Sequence, residues 1–495
     1  MLAEKELSNI QSPSLASEKN VITTPIEGEV VAIETDEHTH SLSQRVTRKC
    51  DFRLVPILCC LYLTAFLDRA NLANARLLGF ENDLHMPSNG YNTALWSFYL
   101  TFTIFEVPSN VLLSWSKCRP NVWLGTIVFM FGTVTVCQGF TKSAGGLYAC
   151  RAIMGTFEGG LAPAAALLMG QYYRRSEFGI RYACFTSSAL IGSAFSGFLA
   201  YAIEYMDGIQ GIAAWRWIFI IEGLLSVALG SIAFVVVPGF PADSKFLTKE
   251  EKAYLLHRLE VERGVEATSF KDIKWTKSIF NWKIWINTLA YFCIDMSAAS
   301  ISSFSPTILK QLGWTSAEAN IHSIPIWLVG AFIALNTAIW TGKVGVRFPF
   351  VIAGFIISIV GWAIELVQVP NSAVRYFALY LIAAGAFLVL PILVLWLNNN
   401  IVGRPQKAVA TALQIGFGNS CNFVASNVFI TGEAPRYPTG FKTGLALTVV
   451  GLFAVLLNVF LLQRENGEMD RKEAAGERNE LDFEGTEGMR FRNTL

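Results

Sequence analysis

Blocks of about twenty residues with hardly a charge recur along most of this chain, and segments of that length and composition belong in a lipid bilayer. Inside hydrocarbon every backbone N–H and C=O must be satisfied within the segment, so the blocks are helices. A hydropathy window of about that width places twelve spans near 54–74, 91–115, 121–141, 146–171, 180–204, 215–237, 283–305, 320–341, 349–369, 375–397, 408–430 and 442–462. A hydrophobic fraction of 53% over 495 residues and a mean hydropathy of +0.42 exclude an ordinary soluble domain. The expected fold class is an all-α polytopic membrane protein with twelve transmembrane helices.

The sixth span stops at Pro238, and a polar stretch precedes the seventh, so the spans divide six and six. The expected organisation is a disordered cytoplasmic N-terminal tail (1–49), a six-helix bundle (50–238), a cytoplasmic linker (239–282), a second six-helix bundle (283–463) and a disordered cytoplasmic C-terminal tail (464–495). Within the linker, Thr248-Lys-Glu-Glu251 is a capping sequence that opens an amphipathic helix through AYLLHRLEVERG. Lys and Arg concentrate in the linker and in the loops at Lys117/Arg119, Arg174/Arg175, Lys343/Arg347 and Arg404/Lys407. The positive-inside rule then puts both termini in the cytoplasm. No apolar leader with a cleavage site precedes the first span, which is expected to direct insertion itself.

Other classes of function find little support. The net charge of +1 averages a basic face with an acidic tail, and no basic stripe suits nucleic acid. Most of the nine cysteines lie inside apolar spans without a C-x-x-C pattern, as small packing residues. The five histidines, His38, His40, His85, His257 and His322, form no metal spacing, and no nucleotide loop or nucleophile motif occurs. Neither an enzyme nor a bound cofactor or metal is expected.

Two patches of full charge interrupt the apolar blocks: Asp68-Arg69 in span 1, and Arg151 with Glu158 in span 4. A charge near the bilayer centre costs about 3 kcal/mol or more, so it persists where it faces a wet cavity or a partner. Arg151 and Glu158 are seven residues apart, on one helix face and about 10 Å apart along the axis. Counted from the helix ends, Arg151 lies level with Arg69, with Glu158 nearer the midplane and Gly155 keeping the face open. Arginine can grip a carboxylate with two parallel hydrogen bonds, while an acid in a dry site gains and loses a proton according to its neighbours. The four residues read as the lining of a transport pathway.

FLDRANLANA in span 1, RAIMGTFEGGLAP in span 4, WRWIFIIEG opening span 6, FPADSKFLTKEE after it and IGFGNSCNFVASNVFITGEAPRYPTG around span 11 carry a family resemblance. Together they resemble the fungal anion:cation symporters of the major facilitator superfamily, the allantoate permease-like group with nicotinate, pantothenate and biotin permeases. The resemblance covers residues 50–465. It implies two pseudo-symmetric bundles, a cavity lined chiefly by spans 1, 4, 7 and 10, and alternating access by rocking of the halves. In related organic-anion symporters the matching charges bind substrate carboxylate and couple protons. The resemblance therefore implies proton carriage at Asp68 and Glu158 and anion binding at Arg69 and Arg151, with Arg69 the principal contact and Arg151 organising Glu158.

Further candidate substrate contacts are Tyr99 and Phe102 in span 2, Trp396 and Asn398 in span 10, and Gln414, Asn419 and Asn422 in span 11. Asp295 in span 7 is an additional buried acid outside the family pattern, while Glu222 and the Glu177/Arg181 pair read as structural or gating charges. Loops SWSKCRPNVW and TGKVGVRFP lack the acids of other facilitator gates. The expected function is proton-coupled import of a small organic anion, such as a vitamin, ureide or sugar acid, by a monomer in the plasma membrane. Its partners are then the substrate anion, protons and the bilayer. A facilitator-type exporter of a metabolite or drug and a non-transporting nutrient sensor are the alternatives.

Overall fold

The computed structural model describes residues 21–26, 29–34, 37–115, 119–263, 280–344, 346–401, 404–474 and 493–494. Ten helices among these residues are long and apolar enough to cross a membrane. Spans 1 to 6 are α1 (Glu37–Leu77), α3 (Gly90–Trp115), α4 (Pro120–Gly139), the broken pair α5 (Ala144–Glu158) and α6 (Leu161–Tyr172), α7 (Arg175–Glu204) and α8 (Ala214–Val236). Short α2 (Phe80–Asp83) lies between the first two. After the linker helix α9 (Lys249–Arg263), spans 7 to 12 are α10 (Trp282–Gln311), α11 (Ser316–Val344), α12 (Phe348–Val367), α13 (Ser372–Asn400), the broken pair α14 (Arg404–Asn419) and α15 (Cys421–Val428), and α16 (Pro438–Ala474). Large apolar side chains such as Phe332, Phe453, Phe460 and Val235 point outward, as a surface meeting lipid requires.

Both breaks have local causes. Pro163 stands in the first turn of α6 and cannot donate back to the Gly159 carbonyl, so span 4 bends at Gly159-Gly160. In span 11 the Ser420 hydroxyl takes the Phe417 carbonyl at 2.6 Å, a side-chain bond that competes with the helix ladder.

Helix pairing repeats six spans on. Span 1 packs on 5 and 6, 2 on 4, and 3 on 4 and 6; correspondingly 7 packs on 11 and 12, 8 on 10, and 9 on 10 and 12. Between halves, span 1 meets 7, 2 meets 11 and 5 meets 8, a set that the same exchange leaves unchanged. The two halves are thus pseudo-symmetric six-helix bundles. The match is not complete: span 7 also packs on 8 and lies helix against helix with 10, whereas α1 makes no comparable contact with α3 and meets span 4 chiefly at α6.

Glycine permits the closest crossings, since lipid supplies no hydrophobic drive between helices and close packing must hold them. A Cβ on Gly155 would lie 2.3 Å from the Phe98 carbonyl, and one on Gly192 would lie 2.4 Å from that of Leu63. Gly155 therefore seats α5 on α3, in place of the open face read from the sequence.

The N-terminal segment holds an antiparallel hairpin, β1 (Val21–Ile26) with β2 (Glu29–Glu34). From Glu37 the chain is already helical, well before the expected start of span 1. Leu42, Val46 and Cys50 are buried on that extension. α9 covers it: Lys49 Nζ donates to Glu251 Oε1 at 2.6 Å, and the Arg258 guanidinium donates to both Glu177 oxygens at 3.1 Å. Arg181 adds a two-pronged pair with Asp51 at 2.6 and 2.8 Å. Thr248 and Glu251 cap α9 reciprocally, each side chain accepting from the other's backbone N–H. Lys117 and linker residues 264–279 lie outside the described residues.

Candidate substrate and proton site

Asp68 and Arg69 are adjacent on α1, so their side chains diverge into different surroundings. Asp68 turns into the N-terminal bundle, 1% exposed, and accepts from Ser226 (3.2 Å), Thr135 (3.4 Å) and Asn71 (3.4 Å). Arg69 turns toward span 4, where its Nε donates to Glu158 Oε1. Its guanidinium also lies over Phe102 (4.6 Å), Phe66 (4.7 Å) and Phe98 (5.5 Å), a cation–π box that fixes its plane. The Arg69 side chain keeps 18% exposure; that of Glu158 keeps 1%, and its Oε2 has no partner.

Arg151 occupies a different place from the one expected. It is 2% exposed, with its Cζ 5.7 Å from the Phe219 ring centre and Nη1 4.0 Å from Met154 Sδ. Its Nε and Nη2 have no partner. Glu158 is thus held by a hydrogen bond from Arg69, while Arg151 acts on it through charge alone, and it is Glu158, not Arg151, that stands level with Arg69. Depth counted from helix ends misled because α1 and α5 do not end in one plane. Arg151 instead shares the buried interior with Asp68, near enough for their charges to attract.

Across from this pair, Tyr99 on α3 lies in electrostatic range of Arg69, Glu158, Asp295 and Cys421. Cys421 Sγ donates to Asp295 Oδ2 at 3.1 Å, joining α15 to α10. Asn419 sits beside the carboxylate of Glu106 on α3, and Asn422 Nδ2 donates to the Asn419 carbonyl at 2.8 Å. Tyr99, Phe102 and Asn419 therefore join the charged centre.

The other candidates lie apart. Trp396 is fully buried at the linker end of α13 and donates Nε1–H to the Thr494 carbonyl at 2.8 Å. Asn398 Oδ1 accepts from Thr411 Oγ1 at 3.0 Å. Gln414 is fully buried with neither amide atom partnered. Glu222 is fully buried beside Asp68, with the Asn71 amide as the donor nearest it. Glu106 is the acid at this centre that the sequence reading passed over. Its signal was an acid inside the apolar run YLTFTIFEVPSN, the same signal that marked Asp68. Phe66 and Phe98 gave none, since aromatic residues at helical spacing usually pack.

The charges in this interior do not balance. Two cations, Arg69 and Arg151, face five acids: Asp68, Glu106, Glu158, Glu222 and Asp295. A further anion is tolerated there only where protons neutralise acids.

Five hydrogen bonds between the halves gather at the face opposite the linker. Tyr91 Oη donates to the Ser303 carbonyl (2.6 Å), Asn92 to that of Phe429 (3.3 Å), Ser316 and Lys310 to that of Leu77 (3.1 and 3.4 Å), and Arg76 to Thr431 Oγ1 (3.5 Å). At the same face Trp215 Nε1 donates to Asp83 (2.8 Å) and Arg216 to the Gly139 and Thr141 carbonyls, which accounts for the WRW opening of α8.

Two pseudo-symmetric bundles around a charged interior define a multi-pass membrane carrier, not an enzyme. The family model of the Major Facilitator Superfamily matches residues 58–458, and the chain belongs to that superfamily. It is 32% identical over 475 residues to an uncharacterised transporter of Schizosaccharomyces pombe, covering 96% of this chain and 94% of that one. It is 29% identical over 464 residues to the high-affinity nicotinic acid transporter of Saccharomyces cerevisiae, covering 92% and 85%. Among solved structures, a bacterial homologue of the human lysosomal transporter Spinster superposes with a TM-score of 0.64 at 14% identity, covering 82% of this chain and 96% of that one. The Escherichia coli xylose transporter XylE gives 0.61 at 13% identity, covering 81% and 96%.

Proposed function

We propose that this protein is a proton-coupled symporter that imports a small organic anion across the plasma membrane, with both termini in the cytoplasm. One observation carries the reading: the exposed cation of the site, Arg69, is already held by a buried acid, Glu158. A substrate carboxylate and the Glu158 carboxylate want the same guanidinium. When Glu158 takes a proton its hold weakens, and Arg69 turns its donors to the substrate; when substrate leaves, Arg69 returns and the proton is expelled. Linkage makes the effect reciprocal, so bound anion raises proton affinity as much as the proton raises anion affinity. Asp68, held by three donors and beside Arg151, is the second proton carrier. The excess of acids over cations argues the same way, because an anion enters this interior only in company with protons. Similarity to a nicotinic acid transporter supports an anionic vitamin-like substrate.

The test is uptake in cells expressing the protein, using nicotinate, pantothenate, biotin, allantoate and sugar acids at acid and neutral external pH, with Arg69→Ala beside the wild type. Acid-stimulated uptake of one compound, lost in the variant, is the expected result. A surface-expressed protein that takes up none of them, or takes one up equally at both pH values, would sink the proposal.

A further inference from the structure

The C-terminal half contributes one carboxylate to the centre of the molecule that exchange at Arg69 does not use. Asp295 is nine-tenths buried on α10, and Oδ2 is engaged by the Cys421 thiol at 3.1 Å. Its Oδ1 accepts no hydrogen bond among the described residues, yet is not among the sealed interior atoms. A thiol is a weak donor and leaves most of a carboxylate's hydrogen-bonding capacity unfilled. The group faces the N-terminal half, since the charges of Arg69 and Asp295 act on each other and Tyr99 lies in range of both.

These positions make the site two-ended. A substrate carboxylate is drawn to Arg69 and repelled by Asp295, so it lies with its anionic end toward α1. The end that reaches α10 meets an acceptor with an unfilled lone pair. An apolar end there would leave a buried polar group unsatisfied. We propose that Asp295, backed by Cys421, is a second substrate anchor, and that the substrate is a small carboxylate bearing a hydrogen-bond donor at its far end: a protonated ring nitrogen, an amine or a hydroxyl. This rests on the anion reading above.

Binding of matched pairs to purified wild-type protein tests it: 3-hydroxybenzoate against benzoate, gamma-aminobutyrate against butyrate, and lactate against propionate. The expected result is a preference of about tenfold or more for the donor-bearing member of at least one pair. Asp295→Asn should shrink that preference to about twofold while leaving the pH dependence of the plain carboxylate unchanged. Wild type that binds both members of every pair equally overturns the second anchor and leaves the anion reading standing. Wild type that binds no carboxylate of either kind overturns both. Should Asp295→Asn keep the preference, or shift the pH dependence of all compounds alike, Asp295 is a packing group or a proton carrier and the proposal is wrong. The wild-type comparison decides the matter even if the variant does not fold.

Discussion

The chemistry proposed for Arg69 depends on its being an arginine, because three aromatic rings box a plane and only Nε is engaged by Glu158, leaving the other guanidinium donors for a substrate. Lysine keeps the charge but neither the plane nor the several fixed donors. Arg69→Lys is expected to weaken substrate binding about tenfold or more, as fits the loss of one charge-assisted hydrogen bond. Titration of substrate-dependent fluorescence in detergent would check this, and unchanged affinity would reduce Arg69 to a point charge. The presence of Asp68, Arg69, Arg151 and Glu158 in the interior was legible from sequence, because a charge in an apolar run is itself the signal. Which of them pair was not legible. Neighbours on α1 diverge by about 100°, and no one-dimensional count tells that Arg69 rather than Arg151 reaches Glu158.

At the scale of helices, the spans announced themselves while their ends did not. The extension of α1 back to Glu37 is amphipathic, and a window tuned to uniformly apolar segments ignores it. Its burial depends on α9, a long-range contact that the capping sequence could not reveal. Burial pushes the Glu251 carboxyl up, but hydrogen bonds from Lys49 and the Thr248 N–H, with the charges of Lys49 and Arg45, outweigh this and leave it below its ordinary value of 4.5. An acid lowered by folding adds stability in full above its unfolded value, and loses it as pH falls through the folded one. Docking of α9 should therefore be constant from neutral pH to about pH 5 and loosen below about pH 4.5. Hydrogen exchange of 249–263 against pH would report it, with Glu251→Gln showing raised exchange at neutral pH that wild type approaches only below about pH 4.5.

The glycine crossings give a paired test at the same scale. Gly155→Ala drives a Cβ into the α3 backbone and should lower the melting temperature by several degrees, on the order of 2 kcal/mol. Gly170→Ala, in α6 with nothing within 4 Å of its Cβ, should leave it unchanged or raise it slightly. Equal melting of the two variants would mean that the α3–α5 contact is loose.

For the whole molecule, the halves are sealed to each other on the face opposite the linker. Alternating access requires the opposite arrangement to lie within a few kcal/mol. Tyr91→Phe removes the hydroxyl that reaches the Ser303 carbonyl and should cost that sealed state about 1 kcal/mol, a shift of about fivefold in populations. Spin labels at the exposed residues Asn89 and Gly432 would show it as a longer-distance component; an unaltered distance distribution would mean the bond does not hold the face shut. Six-and-six division was readable from hydropathy, but the exchange symmetry of the pairing needed the three-dimensional contacts.

The central claim is that the substrate anion and the Glu158 carboxylate compete for a single guanidinium, so that anion and proton bind together, and proton movement driven by substrate measures it most directly. In proteoliposomes holding the purified protein, with no pH gradient imposed, the carboxylate identified in the uptake panel is added outside and external pH is followed. Wild type should give substrate-dependent alkalinisation, and Glu158→Gln should bind the same carboxylate with no alkalinisation. Alkalinisation by Glu158→Gln at the wild-type rate would contradict the account.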